Sequence, residues 1–219
     1  MAMVIFDLDG TLADTSGDLV AAANAVFAEA GHRAPLDPVA DAATAFAGGG
    51  AMLRLGHERL GTAADGARIA ADYDALLEQY EAAIARHTRL YPGVEAALER
   101  LAAAGHALGV CTNKPTPLAE RLLAELRLRE RFGALVGAGC LPVRKPDAAP
   151  YRETLRRLGG AGPSMLIGDT VTDRDTARAA GVPVALVGFG PLGAGIADLA
   201  PDAILDHYDG LDAVVARLI

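Results

Sequence analysis

The stretch Val4-Ile5-Phe6-Asp7-Leu8-Asp9-Gly10-Thr11-Leu12 joins a short apolar run to a Gly-Thr turn and places two carboxylates two residues apart. Successive side chains of an extended backbone point to opposite faces, so Asp7 and Asp9 begin on the same side of a predicted strand over 4–8. Two carboxylates this close do not both stay ionised unless a cation, a shared proton or a cluster of donors lies between them. The stretch therefore predicts a polar site at the carboxyl end of a strand, and a capped surface turn is the plainer alternative.

Length and composition limit the class of protein. The chain has 219 residues, enough for one domain with a substantial insertion or for two small domains. Its net charge is −8, and no basic stretch is interleaved with aromatic residues, which argues against a nucleic-acid partner. No apolar stretch reaches the length of a membrane span, so we expect no membrane partner and a cytoplasmic location. The two cysteines, Cys111 and Cys140, lack metal-ligand spacing, and Cys111 lies in an apolar run that predicts a core position.

Lysine is rare in this sequence. Lys114 and Lys145 are its two lysines, against eighteen arginines. A chain that prefers arginine this strongly is expected to keep lysine where a compact ammonium is needed rather than a planar guanidinium. For Lys114, survival by chance stays open as an interpretation.

Short apolar runs alternate with helical patterns through the second half of the chain. Strands are predicted over 107–112, 134–138, 165–168, 184–188 and 203–205, and helices over 116–128, 148–158 and 173–180. Strand–helix alternation of this kind predicts an α/β fold with a parallel sheet, in which the strand over 4–8 is a central member.

Residues 15–87 have a different pattern, with no convincing strand. Helices are predicted over 18–30, after the glycines at 48–50, and over 66–86. We therefore predict an α/β core of residues 1–14 and 88–219, interrupted by an all-helical cap over 15–87. An insertion at the end of the first strand is well placed to act as a lid.

Three further polar segments follow predicted strands or precede helices. Thr112 and Asn113 follow the apolar residues 108–111 of the second predicted strand. Lys145 stands in Arg144-Lys145-Pro146-Asp147, and Gly168-Asp169-Thr170-Val171-Thr172-Asp173 opens a helix. In an open parallel sheet these segments meet at the edge where ligands bind. Taken singly, each has a plain alternative as a helix cap, a solvated turn or a pair of acids favoured by a helix dipole.

Together, these groups suit the transfer of a phosphoryl group to a carboxylate. Asp7 is the candidate nucleophile, since aspartyl phosphate is an established type of covalent intermediate. Asp9 is then the general acid for the leaving alkoxide and the general base for water. Lys145 and the Thr112 hydroxyl are suited to the equatorial oxygens of the phosphoryl group.

The remaining acids point to a divalent cation. A phosphate dianion repels Asp7, so the reaction requires Mg²⁺, which also explains how Asp7 and Asp169 share a site without protonation. Asp173 lies one helical turn beyond Asp169, where it either orients Lys145 or binds the metal through water.

The ordered motifs resemble those of the haloacid dehalogenase superfamily of phosphohydrolases. The matching residues are Asp7-Leu8-Asp9-Gly10-Thr11, then Thr112, then Lys145, then Gly168-Asp169-Thr170-Val171-Thr172-Asp173. The resemblance implies a Rossmann-like core with a helical C1 cap. It also implies Asp7 as nucleophile, Asp9 as acid and base, and Mg²⁺ held by the Asp7 carboxylate, the Asp9 carbonyl and Asp169.

Within the superfamily, four stretches look most like phosphoglycolate phosphatases, and 2-phosphoglycolate is therefore the leading substrate. They are 12–19, 90–94, 112–115 and 141–147. The predicted catalytic residues are Asp7, Asp9, Thr112 and Lys145, the substrate-binding residues Thr112, Asn113 and Lys145, the metal ligands Asp7, Asp9 and Asp169, and the supporting residues Asp173, Gly10 and Thr11. The expected partner is a small phosphorylated metabolite, and a homodimer is left open.

Several other reactions use related residues. Dehalogenation does not need an acid at the position of Asp9, and phosphonate cleavage needs a cap lysine, which residues 15–87 lack. A sugar phosphomutase shares all four motifs and stays open. A catalytically inactive binding module is disfavoured because no motif residue is missing.

Two weaker patterns complete the sequence. Residues 188–193 match G-x-G-x-x-G, with Asp206 beyond them, but Pro191 interrupts the loop, and a dinucleotide site is rejected. In the cap, Arg54 and His57 after the glycines at 48–50 are candidates for binding a substrate carboxylate. A simple loop with a solvated Arg54 is an equally good interpretation.

Overall fold

A computed structural model describes residues 2–62, 64–160 and 162–219, and the chain divides into two compact units. An α/β unit contains residues 1–13 and 90–219, and a helical unit contains residues 14–89. The boundaries predicted from the sequence lie after residues 14 and 87. The lid role of the helical unit stays a prediction.

Four α-helices lie in the described residues of the helical unit. They are α1 (Ser16–Glu29), α2 (Ala42–Phe46), α3 (Gly49–Leu60) and α4 (Gly66–Ala82). Helix α3 begins at the predicted glycine run, where Gly48 has φ +100°, a conformation that favours glycine. Helix α1 packs against the other three helices, and its buried side chains include Val20, Val26 and Phe27.

The α/β unit is built on a six-stranded parallel sheet. In chain order the strands are β1 (Met3–Phe6), β2 (Ala13–Asp14), β3 (Arg89–Leu90), β4 (Ala107–Pro115), β5 (Ala134–Ala138), β6 (Ser164–Gly168), β7 (Val184–Val187) and β8 (Ala203–Leu205). The sheet order is β5-β4-β1-β6-β7-β8, every pair in it is parallel, and β2 and β3 form a separate pair. The predicted α/β fold with a central first strand is confirmed.

In the described part of the α/β unit, five α-helices and three short 3₁₀ helices lie between these strands or after β8. The α-helices are α5 (Val94–Ala103), α6 (Thr116–Glu125), α7 (Ala149–Arg157), α8 (Val171–Ala180) and α9 (Leu211–Leu218), and the 3₁₀ helices are Arg129–Arg131, Gly193–Leu199 and Tyr208–Gly210. The sequence had indicated neither α5 nor α9. Among the described residues no helix is both long and apolar enough to cross a membrane.

All four residues of β1 are buried, as expected for a central parallel strand covered on both faces. Ile5 packs in one cluster with Cys111, Tyr151 and Leu166. The predicted core position of Cys111 is correct, and burial raises the pKa of its thiol to about 12. The chain therefore holds the end of β1 rigidly where the acidic motif begins.

The first strand ends two residues earlier than predicted. The Leu8 carbonyl accepts hydrogen bonds from the N–H groups of Leu12 (3.0 Å) and Ala13 (3.2 Å), which curls the chain into a turn. Gly10 lies in this turn at φ +80°, a conformation that favours glycine over other residues. A tight turn therefore replaces the last residues of the strand and carries the motif's side chains.

Candidate active site

Asp7 and Asp169 follow two neighbouring strands, β1 and β6. The chain leaves β1 toward β4 and β5 on one side and returns at β6 on the other, so this pair of strands marks a switch point of the sheet. Ligands of open α/β folds bind at such points. The Asp7 N–H donates to the Ile167 carbonyl at 2.8 Å, which ties the start of the motif to β6. Carboxylate oxygens of Asp7, Asp169 and Asp173 all lie within 4.8 Å of one another.

Asp169 is almost completely buried, with 1% of its surface exposed. The Thr11 hydroxyl donates to its Oδ1 at 3.0 Å. Its Oδ2 is buried and has no hydrogen-bond partner among the described residues. Burial, with further contributions from Asp173 and Asp7, raises the pKa of Asp169 well above its usual range. A buried carboxylate oxygen without a donor is costly, and it points to a cation.

Asp7 lies at the same edge, with 14% of its side chain exposed. The Leu8 N–H donates to its Oδ1 at 2.7 Å, and the Lys145 ammonium lies 2.9 Å from its Oδ2. Burial is the main reason why the pKa of Asp7 is raised, to about 6, with Lys145 opposing that rise and Asp173 adding to it. The carboxylate is thus held in one orientation by two donors while one face reaches solvent.

Lys145 is buried between two acids. Its ammonium lies 2.6 Å from Asp173 Oδ1 and 2.9 Å from Asp7 Oδ2, and 1% of its side chain is exposed. Burial alone lowers the pKa of this lysine, but the carboxylates of Asp173 and Asp7 outweigh burial and hold the pKa above its ordinary value. Lys145 is therefore a fixed positive charge beside Asp7. Of the two roles considered for Asp173, the contact with Lys145 is present.

Asp173 contacts both Lys145 and the start of α8. Besides Lys145, its carboxylate accepts from the N–H of Asp169 at 3.2 Å, the N–H of Thr170 at 3.1 Å and the Thr170 hydroxyl at 2.9 Å. With Thr170 it forms a capping box at the start of α8. Since these contacts fix the Asp173 carboxylate in one position, Asp173 orients Lys145.

Gly168 leaves the space that Asp173 occupies. A Cβ added at residue 168 would lie 2.3 Å from the Cβ and Cγ of Asp173. We expect Gly168→Ala to displace Asp173 and with it Lys145, which lowers the free energy of unfolding by about 1–3 kcal/mol and reduces turnover. Urea denaturation and a phosphate-release assay measure the two effects.

Gly210→Ala is the matched control for that substitution. Gly210 has φ −85°, and an added Cβ there would meet no atom within 4 Å. This variant should keep wild-type stability and activity. If Gly168→Ala also behaves as wild type, Asp173 does not depend on the close approach to residue 168.

Asn113 and Thr112 hold the loops of the site together. The Asn113 side chain binds the backbone of Lys145 twice, donating to its carbonyl and accepting from its N–H, each at 3.0 Å. The Thr112 hydroxyl, in a residue that is 4% exposed, accepts from the Lys114 N–H at 3.2 Å. Both polar groups of Asn113 are therefore used to position Lys145, and a direct contact of Asn113 with substrate stays a prediction.

The site contains a second buried lysine, which the sequence had not assigned to it. The Lys114 ammonium donates to both carboxylate oxygens of Asp9, at 2.9 and 3.2 Å, and 4% of the Lys114 side chain is exposed. The scarcity of lysine was the signal for this residue, because both lysines of the chain contact acids of the first motif.

Tyr208 also supports the site from far along the sequence. Its hydroxyl donates to the Thr11 carbonyl at 2.9 Å, and its side chain is fully buried. Thr11 in turn binds Asp169. No motif pointed to Tyr208, since the contact spans 197 positions.

In the helical unit, His57 does not fit the suggested role in anion binding. Its two ring nitrogens lie 2.6 Å from the Thr62 hydroxyl and 2.7 Å from Asp72 Oδ2, and the residue is 3% exposed. Asp72 also accepts from Arg68 at 2.9 Å. His57 is thus part of a buried polar cluster that holds α3 to α4. Arg54 is exposed.

The G-x-G-x-x-G stretch has a structural setting that differs from a dinucleotide fold. It follows β7 and leads into the 3₁₀ helix Gly193–Leu199, whereas the fingerprint needs an α-helix that begins in the glycine loop. A Cβ at Gly190 would lie 3.2 Å from the Gly10 carbonyl oxygen and 3.4 Å from the Asp169 Cβ. Gly190 therefore lets this loop approach the acidic site.

Known proteins with the same sequence pattern and fold identify the family. The model of the haloacid dehalogenase-like hydrolases matches residues 4–187. A phosphoglycolate phosphatase of Mesorhizobium japonicum is 36% identical over 223 residues, covering 99% of this chain and 96% of that protein. A phosphoglycolate phosphatase of Cereibacter sphaeroides is 38% identical, with both chains covered completely.

Solved structures show the same fold. The crystal structure of a predicted phosphoglycolate phosphatase from Haemophilus somnus 129pt superimposes with a TM-score of 0.83 at 24% identity, covering 97% of each chain. Fold, ordered motifs and full-length similarity agree, and this chain belongs to the haloacid dehalogenase-like hydrolase family.

Proposed function

We propose that this protein is a Mg²⁺-dependent phosphatase that hydrolyses a small phosphomonoester through an aspartyl phosphate on Asp7, with 2-phosphoglycolate as the leading substrate. The observation that carries the proposal is the Asp7 carboxylate, held by Lys145 at 2.9 Å beside the buried, unpartnered Oδ2 of Asp169. The phosphoglycolate phosphatases at 36% and 38% identity support the substrate. A homodimer and a cytoplasmic location remain predictions.

The acidic residues fit a divalent cation of the magnesium type. Their donors are carboxylate oxygens, which Mg²⁺ prefers, and one oxygen of Asp169 lacks any other partner among the described residues. Asp7 and Asp169 would hold the ion with the Asp9 carbonyl, while Asp173 is occupied with Lys145 and the α8 cap. When bound, Mg²⁺ neutralises the repulsion between the substrate phosphate and the Asp7 carboxylate.

In the first step an Asp7 oxygen forms a bond to phosphorus and the bond from phosphorus to the ester oxygen breaks. The Asp9 carboxyl donates its proton to the leaving oxygen, which departs as an alcohol. Lys145 lies beside Asp7 and stabilises the negative charge on the equatorial oxygens of the phosphoryl group. The Thr112 hydroxyl is the second group assigned to these oxygens.

In the second step water replaces Asp7 on phosphorus. Asp9, now a carboxylate, accepts a proton from the attacking water, and the bond between phosphorus and Asp7 breaks. Inorganic phosphate is released, and both aspartates return to their starting states. A sugar phosphomutase would pass the phosphoryl group to a second substrate hydroxyl instead of water. Two observations favour water: the family is one of hydrolases, and the full-length relatives are phosphatases.

A phosphate-release screen over small phosphomonoesters tests the proposed function. We expect Mg²⁺-dependent turnover, abolished by a chelator and restored by added Mg²⁺, with 2-phosphoglycolate preferred over sugar phosphates. Isomerisation of a hexose phosphate without net phosphate release would establish the mutase instead. The absence of phosphate release from every ester would refute the phosphatase.

A further inference from the structure

We propose that Lys114 is a specificity-determining residue, which binds a carboxylate that the substrate carries next to its phosphoester. The proposal rests on the proposed function, because it takes Asp9 as the group that exchanges a proton with the ester oxygen. It extends that function by assigning substrate choice to the α/β unit. The substrate class is the phosphate esters of 2-hydroxycarboxylates, of which 2-phosphoglycolate is the smallest.

The first step of the argument is that Lys114 is held in place. Its backbone lies near the end of β4, where its N–H donates to the Thr112 hydroxyl at 3.2 Å. Its carbonyl oxygen would lie only 2.7 Å from a Cβ added at Gly137, so β5 packs directly against it. With 4% of its side chain exposed, the ammonium is confined beside Asp9. Fixed backbone and confined side chain are what a recognition residue requires.

The second step is one of distance. If Asp9 gives its proton to the ester oxygen, then that oxygen lies within hydrogen-bond reach of the Asp9 carboxylate. The Lys114 ammonium is 2.9 and 3.2 Å from the same carboxylate. In 2-phosphoglycolate a single methylene separates the ester oxygen from the carboxylate carbon. With the ester oxygen beside Asp9, a substrate carboxylate can therefore reach Lys114.

The third step is one of charge. A substrate carboxylate that enters this buried site loses its contact with water, which disfavours binding unless a cation lies beside it. Lys114 supplies that cation, because its ammonium lies within the site, 2.9 Å from an Asp9 oxygen. Charge-assisted hydrogen bonds of this type are stronger than neutral ones. A neutral substituent at the same position gains nothing from Lys114, so the lysine discriminates between the two.

The test compares two substrates, 2-phosphoglycolate and ethyl phosphate, in wild type and in Lys114→Met and Lys114→Gln. The measured quantity is the ratio of kcat/KM for the two esters. A displacement of Asp9 would lower kcat/KM for both esters alike and would therefore leave this ratio unchanged. We expect wild type to prefer 2-phosphoglycolate and both variants to lower the ratio about 10- to 100-fold, mainly through KM. Gln still offers Asp9 a donor but carries no charge, so it isolates the role of charge.

Arg54→Met is the matched control, since Arg54 is the other basic residue considered for a substrate carboxylate. We expect this variant to keep the wild-type ratio. In an Asp7→Asn background, which blocks turnover, calorimetry should find that Lys114→Met weakens binding of 2-phosphoglycolate more than that of ethyl phosphate.

An equal loss for both esters would overturn the proposal, because it would reduce Lys114 to a support for Asp9. A ratio that falls in Arg54→Met but not in the Lys114 variants would also overturn it and would place recognition in the helical unit. A wild type that hydrolyses both esters equally well would refute carboxylate recognition while leaving a phosphatase. A wild type that releases phosphate from neither would refute the proposed function itself.

Discussion

Replacing Asp7 with Asn should lower kcat for phosphate release by about 10⁴-fold or more, the scale on which loss of a nucleophile acts. The amide oxygen is a poor nucleophile, and the bond to phosphorus in the first step is made by this residue. Neither Lys145 nor Asp9 can replace it, because the first is a fixed ammonium and the second serves the leaving oxygen. Phosphate release under saturating Mg²⁺ and 2-phosphoglycolate gives the measurement.

The same variant should remain folded. Asn has the shape of Asp and can still accept from the Leu8 N–H, while Lys145 retains its contact with Asp173 at 2.6 Å. Circular dichroism and thermal unfolding should therefore match those of wild type or indicate a slightly higher stability, since a carboxyl whose pKa burial raises has been removed. A folded variant that still turns over at a rate near that of wild type would rule out Asp7 as the nucleophile.

Replacing Asp169 with Asn should make the protein more stable than wild type without metal and less stable than wild type with Mg²⁺. Without metal, the variant should have a higher Tm than wild type by several degrees, because it removes a buried charge whose Oδ2 has no partner among the described residues. With Mg²⁺, wild type gains the free energy of binding, about 2.7 kcal/mol when the free ion is roughly 100-fold above Kd. The variant loses a ligand and gains far less, and its activity should fall with it.

The pH dependence of the metal-free comparison follows from the sign of the pKa shift. Folding raises the pKa of Asp169, so the native state favours the protonated carboxyl. Its destabilising effect is therefore absent below the ordinary pKa of an aspartate and complete once the pH exceeds the raised native value. The Tm advantage of Asp169→Asn should grow from pH 4 to pH 8.

Asp198→Asn is the control for this comparison, since Asp198 is exposed and lies in the 3₁₀ helix Gly193–Leu199. It should shift Tm little at any pH, with or without Mg²⁺. Two results would contradict the claim that the buried Asp169 charge destabilises the protein until a cation binds. One is a metal-free Asp169→Asn protein that is less stable than wild type. The other is a Tm difference between variant and wild type that Mg²⁺ does not change.

The sheet and the acidic edge were predictable because the signals are local and repeated. A buried parallel strand is a short apolar run, and Asp7, Lys145 and Asp169 each stand directly after such a run or before a helix. Parallel topology then brings them to one edge without further information. The contact between Lys145 and Asp173 was one of two roles that the sequence left open for Asp173.

Other features depend on distances that no local pattern encodes. Tyr208 reaches the Thr11 carbonyl across 197 positions, and nothing in its neighbourhood distinguishes it from a core tyrosine. His57 looked available for an anion, but its partners are Thr62, just after α3, and Asp72 in α4, and they are set by helix packing. For Lys114 the only signal was the scarcity of lysine. The contact of its long, flexible side chain with Asp9 depends on the fold and could not be predicted from neighbouring residues.

The strand and helix ends were the least predictable part of the fold. The strand predicted over 4–8 ends at Phe6, because the Leu8 carbonyl accepts hydrogen bonds from three N–H groups of the following turn. A pattern of apolar residues does not predict these hydrogen bonds. Helices α5 and α9 lie in alanine- and leucine-rich stretches, and neither begins with a side-chain cap.

The most direct test of the mechanism is to find the phosphoryl group on the protein. Wild type mixed with Mg²⁺ and 2-phosphoglycolate, quenched with acid within one turnover and mapped by peptide mass spectrometry, should carry one phosphoryl group on Asp7. Reduction of that acyl phosphate with borohydride should leave homoserine at position 7. Steady release of phosphate with residue 7 unmodified at every quench time would contradict the covalent mechanism.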